Sequence, residues 1–85
     1  LEIARRLNGV LAEAGVMAAS GRPLTEVERT AEEALLAAGF DRVDYVAVRR
    51  ADDLSQFEAD VAGGPGRILT AAWLGQTRLI DNMAV

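Results

Sequence analysis

The fold is decided by residues 67–85, which read RILTAAWLGQTRLIDNMAV. Two runs rich in large apolar and β-branched residues, 67–74 and 77–85, are separated only by Gly75 and Gln76. A two-residue connection of this kind predicts a β-hairpin, with Gly75 supplying the positive φ of a type II′ turn. The first run is apolar on both faces near its middle, which predicts a strand buried on both sides.

A third strand is predicted upstream at residues 43–49, VDYVAVR, because β-branched and aromatic residues dominate the segment. The stretch 51–61 that follows is mixed, but Leu54, Phe57 and Val61 have helical spacing. That spacing predicts a short helix or a turn. A turn is also predicted at Gly63-Gly64-Pro65-Gly66.

Two amphipathic helices precede the strands. Apolar residues recur at steps of three and four through residues 1–19, and Gly21 is placed to end this helix in the left-handed conformation. The second helix is predicted to begin at Thr25 as N-cap, with Glu28 as its capping-box partner, and to end at Gly39. The predicted fold class is α+β: one domain, residues 1–85, in two layers, with the helices packed on a three-stranded, mainly antiparallel sheet.

The composition excludes several classes of protein. The net charge is −4, and acidic and basic residues alternate without a basic block, which argues against a nucleic-acid partner. No apolar run is long enough to span a membrane, so no membrane partner is expected. The absence of cysteine fits a cytoplasmic location. The chain also lacks histidine and lysine, so catalysis by this chain alone would rest on carboxylates, hydroxyls and arginine.

Several polar groups remain as candidates for chemistry, each with a structural alternative. Gly63–Gly66 leads into a strand and is followed by no lysine, which favours a plain turn over a phosphate loop. The neighbouring Asp52 and Asp53 favour a solvated turn, with an N-cap for the segment 53–57, over a metal or acid–base pair. Arg49 and Arg50 are expected on opposite faces of a strand, where surface ion pairs are favoured over contact with an anionic ligand.

Trp73, the single tryptophan, is expected to be a core or interdomain residue rather than a stacking platform for a base. Arg78, Asp81 and Asn82 interrupt the second half of the hairpin with polar groups, and Arg78 could pair with a carboxylate. Such groups need hydrogen-bond partners, so a structural role, in which they tie the hairpin to the helices or to a neighbouring loop, is favoured over direct ligand contact.

Residues 71–82, AAWLGQTRLIDN, resemble the C-terminal signature of the pantoate–β-alanine ligase family, Ala-Ala-x-x-Gly-x-x-Arg-Leu-Ile-Asp-Asn. The strand beginning Val43-Asp44-Tyr45-Val46 and the stretch from Arg49 to Leu54 are also similar to that family, and the two helices precede them in the expected order. The family's His-x-Gly-His and Met-Ser-Ser-Arg-Asn motifs are missing here. The chain therefore resembles the C-terminal domain without its leading catalytic loop and without the Rossmann-like N-terminal domain.

The resemblance implies a lid domain that is inactive by itself. The complete enzyme would be a cytoplasmic homodimer that joins pantoate to β-alanine through a pantoyl-adenylate, using ATP and Mg²⁺, in pantothenate (vitamin B5) and coenzyme A biosynthesis. No catalytic, cofactor-binding or metal-binding position of the family carries over to a residue here, so none is assigned and the fragment is expected to bind no cofactor. The alternative is a freestanding α+β interaction or dimerisation module that pairs through its third strand.

Overall fold

A computed structural model describes residues 2–85 of the chain. Along the chain the elements are α1 (Glu2–Ala19), α2 (Leu24–Ala37), β1 (Arg42–Arg50), β2 (Gly66–Leu74) and β3 (Thr77–Ala84). The strands form one fully antiparallel sheet in the order β1-β2-β3, and both helices cover the same face of it. The predicted two-layer α+β fold is confirmed.

Each helix presents one apolar stripe to the sheet. The buried residues are Leu7, Leu11, Ala14 and Ala18 in α1, and Leu24, Val27, Ala31 and Leu35 in α2. The helices end where glycines take the left-handed conformation, Gly21 with φ of 89° and Gly39 with φ of 112°, as predicted. Residue 1 of the predicted first helix lies outside the described residues. Neither helix within residues 2–85 has the length and hydrophobicity that a membrane-spanning segment requires.

The predicted capping box of α2 is wrong. The helix begins one residue earlier, at Leu24, its N-cap position is Pro23, and no side chain at that position caps it. The cap comes from Asp60, whose side chain accepts hydrogen bonds from the backbone N–H of Thr25 at 3.0 Å and from its hydroxyl at 2.6 Å. Glu28 points to the sheet instead, where it accepts the Val48 N–H at 2.9 Å. A distant carboxylate thus satisfies the helix end, which local sequence spacing cannot reveal.

The hairpin is confirmed and β1 is longer than predicted. Gly75 has φ of 61° while Gln76 keeps a negative φ, which suits a type II′ turn and excludes type I′. Burial on both faces of β2 is confirmed at its middle, because the adjacent Thr70 and Ala71 are both fully buried. The ladder between β1 and β2 shifts register between Val43 and Tyr45, which marks a β-bulge.

Of the two alternatives predicted within 51–61, the short helix is absent and the turn is present at residues 51–53. Residues 51–65 form an irregular segment of turns and bends that connects β1 to β2. Backbone hydrogen bonds pin its two ends: the Arg50 N–H donates to the Ser55 carbonyl at 2.9 Å, and the Ala51 N–H donates to the Pro65 carbonyl at 3.1 Å. Leu54 adopts a positive φ of 61°, which breaks any helical run at this point. Only Phe57 and Ala62 of the segment pack against the core, so helical spacing alone was not enough to form a helix.

Candidate functional site

The sheet face that the helices leave uncovered carries most of the unusual side chains. Strand alternation assigns a defined set of residues to this open sheet face, and its charged members are Arg42, Asp44, Arg49, Arg67 and Arg78. Large apolar groups are exposed between them: Ile80 is 63% exposed and Tyr45 39%. An exposed apolar and charged sheet face in so small a domain indicates a surface that meets something else.

Asp44 organises one end of this face because the β-bulge inserts it as an extra residue between Val43 and Tyr45. The Trp73 indole N–H donates to Asp44 Oδ2 at 3.0 Å, and Nε of Arg78 donates to the same oxygen at 2.9 Å. Arg42 lies 3.5 Å from the other carboxylate oxygen and stacks over the Trp73 ring at 4.8 Å. We call these four residues the Asp44 cluster; it joins all three strands.

The electrostatics of the cluster favour the ionised carboxylate. The hydrogen bond from the Trp73 indole and then that from the Arg78 guanidinium hold the pKa of Asp44 below its usual range. The carboxylate is therefore a fixed anion at neutral pH, matched to its donors, and is unsuited to act as a general acid or base there.

A second aspartate fixes the hairpin turn itself. The Gly75 N–H donates to Oδ2 of Asp41 at 2.6 Å, and the backbone N–H of Asp41 donates to the Trp73 carbonyl at 2.9 Å. Together with the Asp44 cluster, this contact ties both arms and the tip of the hairpin to the start of β1. The hairpin is consequently part of one rigid sheet rather than an independent flap.

The predicted core position of Trp73 is wrong. Its side chain lies half-buried on the open sheet face, between Arg42 and the Asp44 carboxylate. The indole N–H needs a polar partner, and the bulge supplies one at the surface. The other part of that prediction, a contact with another domain, stays a prediction.

The polar residues of the hairpin separate onto two faces. Arg78 pairs with a carboxylate as expected, but the partner is Asp44 on β1, not a helix or loop. Asn82 accepts a hydrogen bond from Nε of Arg67 at 2.7 Å on the same open sheet face. Asp81 lies half-buried on the helix side, beside Thr70, where it accepts the N–H of Asn82 at 2.8 Å. Arg78 and Asn82 therefore link neighbouring strands, whereas the Asp81 bond lies within β3, and a direct ligand role for the three residues stays untested.

The neighbouring residues at 49–50 and at 52–53 make different contacts. Arg49 lies on the open sheet face directly opposite Arg67, whereas Arg50 pairs with Asp52 at 3.3 Å on the other side. Asp53 caps no helix; its carboxylate accepts the hydroxyl of Ser55 at 2.6 Å and its N–H at 3.0 Å, and these bonds lower its pKa. Asp52 Oδ1 also accepts the N–H of Asp53 at 2.8 Å, and these local bonds fit the predicted solvated turn.

Gly64 and Pro65 form a bend and Gly66 begins β2, in agreement with the plain turn. Gly66 lets the neighbouring groups approach the backbone closely, because an added Cβ would lie 3.3 Å from the Arg49 carbonyl oxygen and 3.4 Å from the Phe57 ring.

The irregular segment borders a half-open groove of about 750 Å³ near Phe57, Val61 and Pro65. Among residues 2–85, no three acidic side chains come together in a cluster that could hold a metal ion.

Sequence reasoning gave no bonding role to Asp41, Asp44 or Asp60, and it gave Glu28 the wrong partner. Each acts across at least 20 positions of sequence. One signal was available for Asp44, since an acidic residue between Val43 and Tyr45 interrupts an otherwise apolar strand. A polar residue there indicates either a solvent face or a bulge.

The chain is similar to proteins of one family throughout its length. The family model described as pantoate-beta-alanine ligase matches residues 1–84. Pantothenate synthetase of Caulobacter vibrioides is 56% identical over 73 residues, which cover 85% of this chain and 26% of that protein. Pantothenate synthetase of Mesorhizobium japonicum is 46% identical over 85 residues, which cover 100% of this chain and 29% of that protein.

The fold is similar as well. The crystal structure of pantothenate synthetase from Thermus thermophilus superposes with a TM-score of 0.70 and 34% sequence identity, over 91% of this chain and 27% of that one. The chain therefore spans between a quarter and a third of the length of these relatives.

Proposed function

This chain belongs to the pantoate–β-alanine ligase family, and on that basis we propose that it is the C-terminal lid domain of a ligase that joins pantoate to β-alanine. The observation that carries the proposal is the match over residues 1–84 to the family, together with the same fold in a solved pantothenate synthetase. The remainder of such an enzyme supplies the Rossmann-like domain that binds ATP and Mg²⁺ and forms the pantoyl-adenylate.

The composition of the chain supports this division of labour. The chain contains no histidine or lysine, and the polar groups of the Asp44 cluster are matched to one another rather than aimed at an empty cavity. A domain of this kind binds and covers, while the chemistry takes place elsewhere. The isolated fragment is accordingly proposed to be inactive, and the complete enzyme to be a cytoplasmic homodimer acting in pantothenate biosynthesis.

A lid is useful in this reaction because an acyl-adenylate hydrolyses readily. Closing a domain over the intermediate removes water and leaves the amine of β-alanine as the available nucleophile. A lid has to move as one body to close reproducibly. The links from Asp41 and Asp44 to the hairpin favour such rigid-body motion about a hinge outside the sheet.

The proposal is tested with a chimera. The segment of the Caulobacter vibrioides enzyme that aligns with this chain is replaced by residues 1–85, and AMP release is measured with ATP, pantoate and β-alanine. We expect β-alanine-dependent AMP release from the chimera and none from either part alone. A soluble, folded chimera without this activity would overturn the assignment.

Two matched variants of the chimera distinguish a specific role of the hairpin contacts from a general effect of removing a surface carboxylate. Asp44→Ala removes the acceptor shared by Trp73 and Arg78, and we expect it to lower kcat/KM and to increase AMP release uncoupled from amide formation. Asp52→Ala removes an exposed carboxylate at the opposite end of β1 and is expected to leave both quantities unchanged. Equal behaviour of the two variants would contradict the rigid-lid mechanism.

Self-association is a second candidate function, favoured by one observation. β3 is an edge strand, and Ile80 on it is 63% exposed, so its free backbone groups could pair with a second copy. Sedimentation of the 85-residue chain over a range of concentrations tests this function. A dimer that Ile80→Lys abolishes would support it, and a monomer at every concentration would exclude it.

A further inference from the structure

The open sheet face contains a like-charged pair that nothing in the described part of the domain neutralises. Arg49 on β1 and Arg67 on β2 are direct cross-strand partners. Directly opposed residues have Cβ atoms about 4.5–5.5 Å apart, and like charges at that separation are destabilising. Within residues 2–85, neither guanidinium has a carboxylate within 4.0 Å, although Arg42, Arg50 and Arg78 each have one.

The geometry also orients the pair. Nε of Arg67 donates to Oδ1 of Asn82 at 2.7 Å, which orients the guanidinium and leaves its terminal N–H groups as donors for a further acceptor. Both arginines are half-buried, so their stems pack along the sheet while their heads reach solvent. A fixed guanidinium loses little conformational entropy when it binds an anion, and two adjacent forks can engage one oxyanion.

The charge distribution over the domain strengthens the argument. The chain has a net charge of −4, yet the open sheet face carries four arginines, Arg42, Arg49, Arg67 and Arg78, against one aspartate, Asp44. Asp44 is engaged by Arg42 and Arg78, so the excess of positive charge lies at the Arg49–Arg67 end. A local positive field on an acidic protein attracts anions to that end of the face.

We propose that Arg49 and Arg67, with Asn82 as the positioning residue, form a binding site for an oxyanion, a phosphate or a carboxylate group. One guanidinium from each strand donates to the anion, and the bound charge removes the repulsion between the two strands. The site rests on the cross-strand geometry alone and does not depend on the ligase assignment.

The test uses the 85-residue chain and two probes, inorganic phosphate and acetate, each titrated at constant ionic strength with chloride as the balancing ion. NMR spectra of the arginine Nε–H groups report binding at each guanidinium. We expect saturable shifts at Arg49 and Arg67 and none at Arg29, which lies on the exposed side of α2. Saturation by phosphate alone would define a phosphoryl site, and saturation by both probes a general oxyanion site; either supports the proposal.

Three variants make the result decisive. Arg49→Gln and Arg67→Gln are each expected to weaken binding about tenfold, which corresponds to about 1.4 kcal/mol, while Arg29→Gln leaves it unchanged. Thermal unfolding adds a second readout, since a given phosphate concentration should raise the Tm of the wild-type chain more than that of either variant. If a variant fails to fold, the proposal is tested by the NMR shifts of Arg49, Arg67 and Arg29 in the wild-type chain. Absent or non-saturating shifts, or equal weakening by Arg29→Gln, would overturn the proposal.

Discussion

Asp60 joins the irregular segment 51–65 to the start of α2, and its removal tests how that helix is capped. The Asp60 carboxylate accepts the Thr25 N–H at 3.0 Å and the Thr25 hydroxyl at 2.6 Å, while its backbone carbonyl accepts the Leu24 N–H at 2.8 Å. Asp60→Ala deletes the first two bonds and keeps the third. The perturbation therefore isolates the side-chain cap.

The expected loss follows from two effects. Removing a helix N-cap costs about 0.5–2 kcal/mol, and a carboxylate at the positive end of a helix contributes about 0.3–1 kcal/mol. Because the site is exposed, we expect the free energy of unfolding to fall by about 1–2 kcal/mol in total. For a domain of this size, each kcal/mol lowers the Tm by about 4–8 °C.

Urea unfolding of the 85-residue chain at neutral pH measures the change, with the m-value expected to stay constant. Asp60→Asn keeps an acceptor oxygen and should lose less than half as much. Asp52→Ala, in the same segment, should stay within about 0.5 kcal/mol of wild type.

A double-mutant cycle with Thr25→Val tests the geometry directly. If the Thr25 hydroxyl bonds to Asp60, the two substitutions should be coupled by about 0.5–1 kcal/mol. If Thr25 capped the helix by itself, as local spacing predicts, the effects would add to within about 0.3 kcal/mol. Additivity, or an Asp60→Ala variant as stable as wild type, would refute the cap described here.

Three further predictions concern the helices and the Asp44 cluster. Gly9→Ala should raise the free energy of unfolding by up to about 1 kcal/mol, because Gly9 is exposed in α1 and an added Cβ meets no atom within 4 Å. Leu35→Ala should lower it by about 2–5 kcal/mol, because Leu35 is fully buried in the core. The lowered pKa of Asp44 adds stability that is present above its unfolded-state pKa and is lost as pH falls through its folded-state pKa, so Asp44→Asn should flatten the acid limb of the Tm–pH profile.

Each of these three predictions has its own control. Gly39→Ala should act in the opposite direction to Gly9→Ala, since Gly39 has φ of 112°, and equal signs would contradict the helix analysis. Leu36→Ala, at an exposed neighbour of Leu35, should lower the free energy of unfolding far less than Leu35→Ala does. A similar loss for both variants would contradict the assignment of Leu35 to the core. An Asp44→Asn profile parallel to the wild type down to about pH 2 would show that the cluster contributes nothing to acid stability.

Periodic and local signals predicted the elements well. The stripe through Leu7, Leu11 and Ala14 and the two-residue turn at Gly75 each specify their own structure, because the residues concerned are close in sequence. For 51–61 the sequence left a short helix or a turn open, and the structure has turns and bends because little of the segment packs against the core. The prediction failed where a side chain had two possible partners, as Thr25 and Glu28 did.

The candidate site was predicted only in part. Arg78 was expected to pair with a carboxylate, but the carboxylate was identified only in three dimensions. Trp73 was expected in the core because a large ring usually lies there, yet the bulge at Asp44 offered its N–H a surface partner. Register and bulges depend on how separate segments align, and one sequence does not encode that alignment locally.

By itself, the sequence determined the α+β class, the hairpin and the resemblance of residues 71–82 to one ligase family, because periodicity, turn chemistry and short motifs are local properties. The tertiary structure alone decided which charges meet. It placed Asp44 against Trp73 and Arg78 and set Arg49 opposite Arg67. The physical reason is that sheet register and long-range hydrogen bonds are fixed by packing of the whole core.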